Sequence, residues 1–280
     1  MLLNTIEDLR KQIKPKVDNS TIGLVPTMGY LHEGHISLIN RARKENDIVI
    51  LSIFVNPTQF APNEDLDKYP RDLDKDMKLA YDNGVDYIFA PTVEEMYGNN
   101  YSTYVNIEGD ITKKLCGSSR PTHFKGVTTV VTKLFNITTP NNAYFGQKDA
   151  QQLSIIKKLV KELNFDINIV SCPIVRDKYG LALSSRNVYL SELERKQALV
   201  LSQSLNDIKS MYLSGNNNAL ELKKYIVDKI STMNLANIDY VEIVDFETFE
   251  DVDIINKQTL VALAVKFGNT RLIDNIILGE

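Results

Sequence analysis

Short apolar runs alternate with amphipathic stretches through the first two-thirds of the chain. The apolar runs are rich in β-branched residues and carry few polar positions on either face, which is typical of strands buried in a parallel sheet. Their lengths and flanking turns predict strands at Ile22–Pro26, Ile48–Val55, Tyr87–Ala90, Ala143–Phe145 and Ile167–Ser171.

The stretches between these strands have the spacing of amphipathic helices. They predict helices over His35–Asn46, Arg71–Asn83, Lys125–Phe135 and Asp149–Leu163, with Gly84 as a C-terminal stop. Alternating strands and helices imply right-handed crossovers and a doubly wound α/β layer. Ligands in such a sheet bind at the carboxyl ends of the strands.

The pattern changes after about Ser185. Two helices, Ser191–Tyr212 and Ala219–Met233, precede strands at Ile238–Asp245, Thr259–Phe267 and Arg271–Ile277, with Gly268-Asn269 as a hairpin turn. We therefore expect a Rossmann-like nucleotide-binding domain over residues 1–182. A smaller α+β domain, acting as a lid, is expected over residues 183–280.

The amino-acid composition disfavours binding along a nucleic acid. The chain has 280 residues, 43% of them hydrophobic and 24% charged, with a net charge of −4. Lysine and arginine are scattered, whereas binding along a nucleic acid requires a concentrated basic surface. We therefore expect no nucleic-acid partner, although a pocket for one nucleotide remains compatible with an acidic protein.

The cysteines and apolar runs favour a cytoplasmic protein. Cys116 and Cys172 are the only cysteines and stand far apart, as two reduced thiols would. The first fourteen residues are interrupted by charges and lack the apolar centre of a signal peptide. The longest apolar run, Ile48–Val55, is too short to span a bilayer, so no membrane partner is expected.

The segment from Pro26 to His35 joins the first predicted strand to the following helix. It places His32 and His35 where the first backbone N–H groups of a helix lack internal partners, which favours an anion such as a polyphosphate. A zinc site is the alternative. The histidines are three residues apart with Gly34 between them, and no third ligand stands at useful spacing, so zinc is disfavoured.

Three further segments could hold a ligand, and each also has a purely structural interpretation. Asn56-Pro57-Thr58-Gln59 follows a strand and offers amides that donate and accept, or is a simple turn. Gly146-Gln147-Lys148-Asp149 places a positive charge at a helix N-terminus, or is a capped helix. Ser184-Ser185-Arg186 could surround phosphate oxygens, or could be a polar linker.

Two segments give weaker signals. Arg120-Pro121-Thr122-His123-Phe124 places an imidazole beside a guanidinium, which also fits a surface loop. The acidic residues after Tyr69-Pro70-Arg71 open a helix and would complement its dipole. One of them, Asp76, is a candidate to hold magnesium through water.

Taken in order, these segments resemble the nucleotidyltransferase superfamily, whose α/β enzymes cleave ATP between its α and β phosphates. Within it, the chain is similar to the pantothenate synthetase (pantoate–β-alanine ligase) family. The departures are mild, with Leu183 in place of a frequent methionine and Thr122 in place of a frequent glycine. The matching strings are Val25–Gly29, Leu31–His35, Asn56–Phe60, Tyr69–Arg71, His123–Val127, Gly146–Asp149 and Ser184–Asn187.

The resemblance implies a two-step ligase. Pantoate and ATP would give pantoyl adenylate and pyrophosphate, and β-alanine would then displace AMP to give pantothenate. ATP is thus a substrate, Mg²⁺ is the expected cofactor, and a homodimer is the usual assembly. The alternatives are another nucleotidyltransferase, a truncated class I aminoacyl-tRNA synthetase, or a catalytically silent nucleotide sensor.

The resemblance also implies residue roles. His32, His35, Lys148 and Arg186 would be catalytic, with His35 as proton donor. Pantoate would contact Met28, Asn56, Gln59 and Gln152, and β-alanine would contact Gln59. The implied ATP site comprises Pro26, Thr27, Met28, Gly29, Tyr30, Leu31, His32, Glu33, Gly34, His35, Gly146, Gln147, Lys148, Asp149, Val175, Leu183, Ser184, Ser185 and Arg186.

Overall fold

The larger sheet of the protein has six parallel strands. The structure is a computed structural model that describes residues 1–62 and 64–279. The six strands are β1 (Leu2–Leu3), β2 (Ile22–Thr27), β3 (Ile48–Ile53), β4 (Tyr87–Phe89), β5 (Asn142–Gly146) and β6 (Asn168–Cys172). They lie side by side in the order β1-β4-β3-β2-β5-β6. The predicted doubly wound fold is confirmed.

Helices cover both faces of this sheet. Alternate residues of β3 face opposite clusters: Ile48 and Ile50 pack with the helices at 123–138 and 150–162, and Val49 and Leu51 pack with the helix at 33–45. Burial on both sides explains why these strands read as continuous apolar runs. The helices of this layer are α1 (Ile6–Ile13), α2 (Glu33–Glu45), α3 (Leu73–Asp82), α4 (Val93–Tyr97), α5 (Cys116–Ser119), α6 (His123–Thr138) and α7 (Ala150–Glu162).

A second sheet of three antiparallel strands follows in the order β7-β8-β9. The strands are β7 (Ala236–Asp245), β8 (Thr259–Phe267) and β9 (Thr270–Leu278), and the predicted hairpin turn at Gly268-Asn269 joins the last two. They are preceded by α8 (Glu192–Ala198), α9 (Val200–Leu213) and α10 (Ala219–Ser231). Leu263 on β8 packs against these helices, whereas Leu260 and Ala262 join the core of the larger domain.

Several helix boundaries differ from the predictions: α3 begins at Leu73 rather than Arg71, and α6 spans His123–Thr138 rather than Lys125–Phe135. The predicted helix Ser191–Tyr212 is interrupted at Leu199, where the backbone makes a tighter turn (ψ −22°) without a proline or glycine to mark it. Helix α2 begins at Glu33 rather than at His35, because the His32 side chain caps it. In addition, β1 and α1 lie in an N-terminal segment for which the sequence analysis predicted no element.

None of the helices in the described residues is both long and apolar enough to cross a membrane.

Helix α6 lies unusually close to the turn Pro57–Gln59. A Cβ atom added at Gly126 would lie 2.4 Å from the Thr58 carbonyl oxygen and 2.6 Å from the Gln59 nitrogen. Glycine therefore allows the helix backbone to touch this turn, which carries Gln59 into the cleft described below.

The change Gly126→Ala is expected to lower the free energy of unfolding by about 1–3 kcal/mol, because helix and turn must separate. Urea denaturation measures this. Gly146→Ala is the matched control, since its Cβ would meet nothing within 4 Å and the φ of Gly146 is −76°. Equal stability of the two variants would contradict the tight-contact account.

Candidate active site

A cleft with a volume of about 250 Å³ lies at the carboxyl ends of the parallel strands. Strands β3 and β4 lie on one side of β2, and β5 and β6 lie on the other, so the strand order reverses between β2 and β5. Open α/β sheets bind ligands at such reversals. The segments that leave β2 and β5 carry His32, His35 and Lys148 into this cleft.

The two imidazoles satisfy the first backbone amides of α2. The Gly34 N–H donates to Nδ1 of His32 (3.1 Å), and the His32 N–H donates to Nδ1 of His35 (3.3 Å). A Cβ atom at Gly34 would lie 2.8 Å from Cε1 of His32, so only glycine lets this ring fold back onto the helix. The rings themselves lie 4.1 Å apart, centroid to centroid.

These bonds determine which ring nitrogen carries the proton. Because each Nδ1 accepts a hydrogen bond, a neutral ring must carry its hydrogen on Nε2. Burial and the nearby Lys148 charge lower the pKa of His32 to about 4. Burial, His32 and Lys148 hold the pKa of His35 well below its usual value. Both rings are thus neutral at pH 7 and have Nε2–H groups available as donors.

The side chain of Asp76 holds the loop between β2 and α2 in place. Its carboxylate accepts the N–H groups of Tyr30 (2.7 Å) and Leu31 (2.6 Å), and its side chain is buried, with burial raising its pKa. Asp76 does not line the cleft. Both oxygens bind the backbone of this loop, and the magnesium role of Asp76 stays a prediction.

The turn after β3 carries Gln59, whose Nε2 donates to Sδ of Met28 (3.2 Å). Asn56 supports it: Nδ2 of Asn56 donates to Oε1 of Gln59 (3.1 Å) and to the Gly126 carbonyl (3.2 Å). Oδ1 of Asn56 accepts from the Tyr97 hydroxyl (2.6 Å). Asn56 lines the cleft, and these bonds show that it positions Gln59, while its contact with pantoate stays a prediction.

The loop that leads into the second domain brings Ser184, Ser185 and Arg186 to the same cleft. The Arg186 guanidinium forms a bidentate pair with Asp65 (2.8 and 2.9 Å). It also lies over the Tyr69 ring, 5.7 Å from its centroid. The guanidinium is therefore already oriented by a carboxylate, and an anion in the cleft would have to compete with that carboxylate or share it.

Comparison with known proteins identifies the family. The family model described as pantoate-beta-alanine ligase matches residues 1–277. A pantothenate synthetase of Acetivibrio thermocellus is 59% identical over 278 residues, 99% of each chain, and one of Thermotoga petrophila is 55% identical over 279 residues, again 99% of each. The chain belongs to the pantoate–β-alanine ligase family.

Solved structures agree with this assignment. Pantothenate synthetase from Thermus thermophilus superposes with a TM-score of 0.94 at 42% identity, covering 98% of each chain. The ligase from Francisella tularensis, described as complexed with β-γ ATP and β-alanine, gives a TM-score of 0.81 at 36% identity, covering 99% of this chain and 97% of that one. The resemblance recognised from the motifs is thereby confirmed, and the chain is a ligase.

Most of the residues predicted for the site line this one cleft. They come from segments far apart in the sequence. The set comprises Pro26, Thr27, Met28, His32, Gly34, His35, Asn56, Gln59, Gly146, Lys148, Asp149, Gln152, Val175, Leu183, Ser184, Ser185 and Arg186.

Five residues predicted for ATP do not line the cleft: Gly29, Tyr30, Leu31, Glu33 and Gln147. Glu33 is exposed on the first turn of α2. Gly29, with φ +83°, and Tyr30 form the bend above Asp76. Contact of these five residues with ATP stays a prediction, and Gly29 and Tyr30 shape the loop between β2 and α2.

Sequence reasoning left an apolar wall out of the site. Val127, Val130, Val131 and Leu134 of α6 line the cleft. Their i, i+3, i+4, i+7 spacing is the same signal that a core-facing helix gives, so the sequence could not separate the two. His123 was noted only as a weak candidate, and it too lines the cleft, with Nδ1 2.9 Å from the Gln59 carbonyl oxygen.

The polar side chains that line the cleft are mostly cationic or neutral. Within the described part of the chain, no group of three or more His, Cys, Asp or Glu side chains could hold a metal ion. Asp149 carries the one carboxylate among the described lining residues. The residues thus suit a ligand that brings its own negative charge.

Lowering the pH from 7 to 5 is expected to reduce the free energy of unfolding. Burial, reinforced by Arg120, lowers the pKa of His123 to about 4 in the folded protein, against 6.5 in an unfolded chain. Between these values the unfolded chain binds more protons, so stability falls as pH falls. For His123 alone this amounts to about 1–2 kcal/mol.

Urea denaturation at the two pH values measures this change, and His123→Gln should lose part of it. An unfolding free energy that stays constant from pH 7 to 5 would show that the histidines are not held neutral.

Proposed function

We propose that this protein ligates pantoate and β-alanine at the expense of ATP, through a pantoyl-adenylate intermediate. The pantoate carboxylate would attack the α phosphorus and release pyrophosphate. The amine of β-alanine would then attack the acyl carbon and release AMP. The observation that carries the proposal is the convergence of His32, His35, Lys148 and Arg186 on one cleft at the strand-order reversal.

The first step needs charge stabilisation rather than a general base, because a carboxylate is already ionised at neutral pH. We assign that stabilisation to the Nε2–H groups of the histidines, to the Lys148 ammonium and to Arg186. The low pKa of His35 opposes its predicted role as proton donor. We propose instead that it donates a hydrogen bond to a phosphate oxygen.

The small substrates have a place beside this anion site. Gln59 and Gln152 line the cleft and would offer amides to the pantoate carboxylate and hydroxyls, and we assign Gln59 to β-alanine as well. The valines of α6 form an apolar surface for the pantoate methyl groups. None of the described residues that line the cleft is an evident base for the amine, so proximity of the bound reactants would carry the second step.

Mg²⁺ is proposed as the cofactor that screens the triphosphate. The cleft fits an ion held mainly by phosphate oxygens and water, with Asp149 as a nearby carboxylate. A homodimer, a cytoplasmic location and a domain boundary between Ala182 and Leu183 also remain predictions.

The test is pantoate-dependent exchange of labelled pyrophosphate into ATP, run beside β-alanine and amino acids as alternative first substrates. Lys148→Ala should lower kcat by about 10²–10³, the effect of losing one electrostatic donor. Lys161→Ala, an exposed lysine on α7, is the control and should leave kcat unchanged. Absence of exchange in folded wild-type protein would contradict the proposed ligase activity. It is the result expected of a nucleotide sensor that has no catalytic activity.

A further inference from the structure

A side chain of the second domain holds the turn that carries Lys148. Asn275 of β9 is 4% exposed, and its Nδ2 donates to the carbonyl oxygens of Gln147 and Lys148, both at 2.9 Å. The turn itself has no side-chain cap of its own. The backbone position of Lys148 therefore depends on a residue 127 positions away in sequence.

The neighbouring residue, Asp274, contacts a segment on the other side of the cleft. Asp274, 3% exposed, forms a bidentate pair with Arg176 (2.6 and 2.9 Å). Arg176 begins a short hairpin closed by its bridge to Ala182. That hairpin leads directly into Ser184–Arg186, so Asp274 orients the loop that delivers these side chains.

The two contacts use opposite faces of one strand. Successive side chains of a strand point to opposite sides, so Asn275 shares a face with Ile277, which packs on the core of the larger domain. Asp274 shares a face with Leu272, which packs with α8 and α9. Because β9 lies between the two layers, adjacent residues of it can each contact a different part of the cleft.

We propose that Asn275 and Asp274 are positioning residues, which set the placement of Lys148 and of the Ser184–Arg186 loop relative to each other. Neither needs to touch a substrate. The second domain would thus contribute to adenylate formation through the backbone of the first. This inference rests on the proposed function, since the exchange reaction supplies its readout.

The main variant is Asn275→Asp, which keeps the size of the side chain but turns a donor toward two carbonyl oxygens into an acceptor. The turn should shift, and kcat for exchange should fall about 10- to 100-fold, the cost of misplacing a catalytic group by about 1 Å. The KM for pantoate should change less than twofold, since Gln59 is held by a different turn. Asn206→Asp, at an exposed position on α9, is the matched control.

Combining variants separates positioning from general damage. If Asn275 acts through Lys148, the effect of Asn275→Asp should drop below twofold in a Lys148→Ala background. Asp274→Asn should behave differently. It should still lower kcat for exchange when combined with Lys148→Ala, but should have no further effect when combined with Arg186→Ala. Equal effects in all backgrounds, or a kcat for Asn275→Asp equal to wild type, would overturn the inference.

Two controls keep the outcome interpretable. Where Asn275→Asp fails to fold, Asn275→Ser removes the amide without adding charge and is judged by the same criteria. Wild-type protein is assayed first. Absent exchange there refutes the proposed ligase, whereas active wild type with insensitive variants refutes only the positioning role.

Discussion

The site depends on how the first turn of α2 is capped. Backbone amides at a helix N-terminus usually bind a side-chain oxygen or an anion directly. Here two of them are taken by Nδ1 of His32 and His35, which turns each ring into a relay: the helix donates to Nδ1, and the ring presents Nε2–H. Burial and the nearby Lys148 charge keep both rings neutral. Each ring then presents an Nε2–H donor in a fixed direction without carrying a positive charge.

Topology explains why distant segments meet at these rings. Parallel strands deliver their following loops to one edge, and the reversal between β2 and β5 leaves a crevice there. The cationic residues then come from the loop after β5 and from the crossover into the second domain. Strand β9 connects these two loops, because its neighbouring residues Asp274 and Asn275 reach one each.

Much of this could be read from the sequence, and what could not has physical reasons. The parallel strands were recognisable since burial on both faces removes polar positions. The role of Asp76 was not, because a carboxylate early in a helix looks the same whether it caps a loop or faces a metal. The role of Asn275 could not be predicted for a different reason. Its strand has the pattern of an ordinary hairpin strand, and its hydrogen-bond acceptors are backbone carbonyl groups, which every residue carries.

The central claim is that the three histidines are neutral and differ in tautomer. The chain has 3 histidines, so their ¹⁵N NMR signals at pH 7 can be assigned with single His→Gln variants. The account predicts Nε2–H for His32 and His35, and Nδ1–H for His123, whose Nδ1 faces the Gln59 carbonyl oxygen. An imidazolium signal or an Nδ1–H tautomer at His32 or His35 would contradict it.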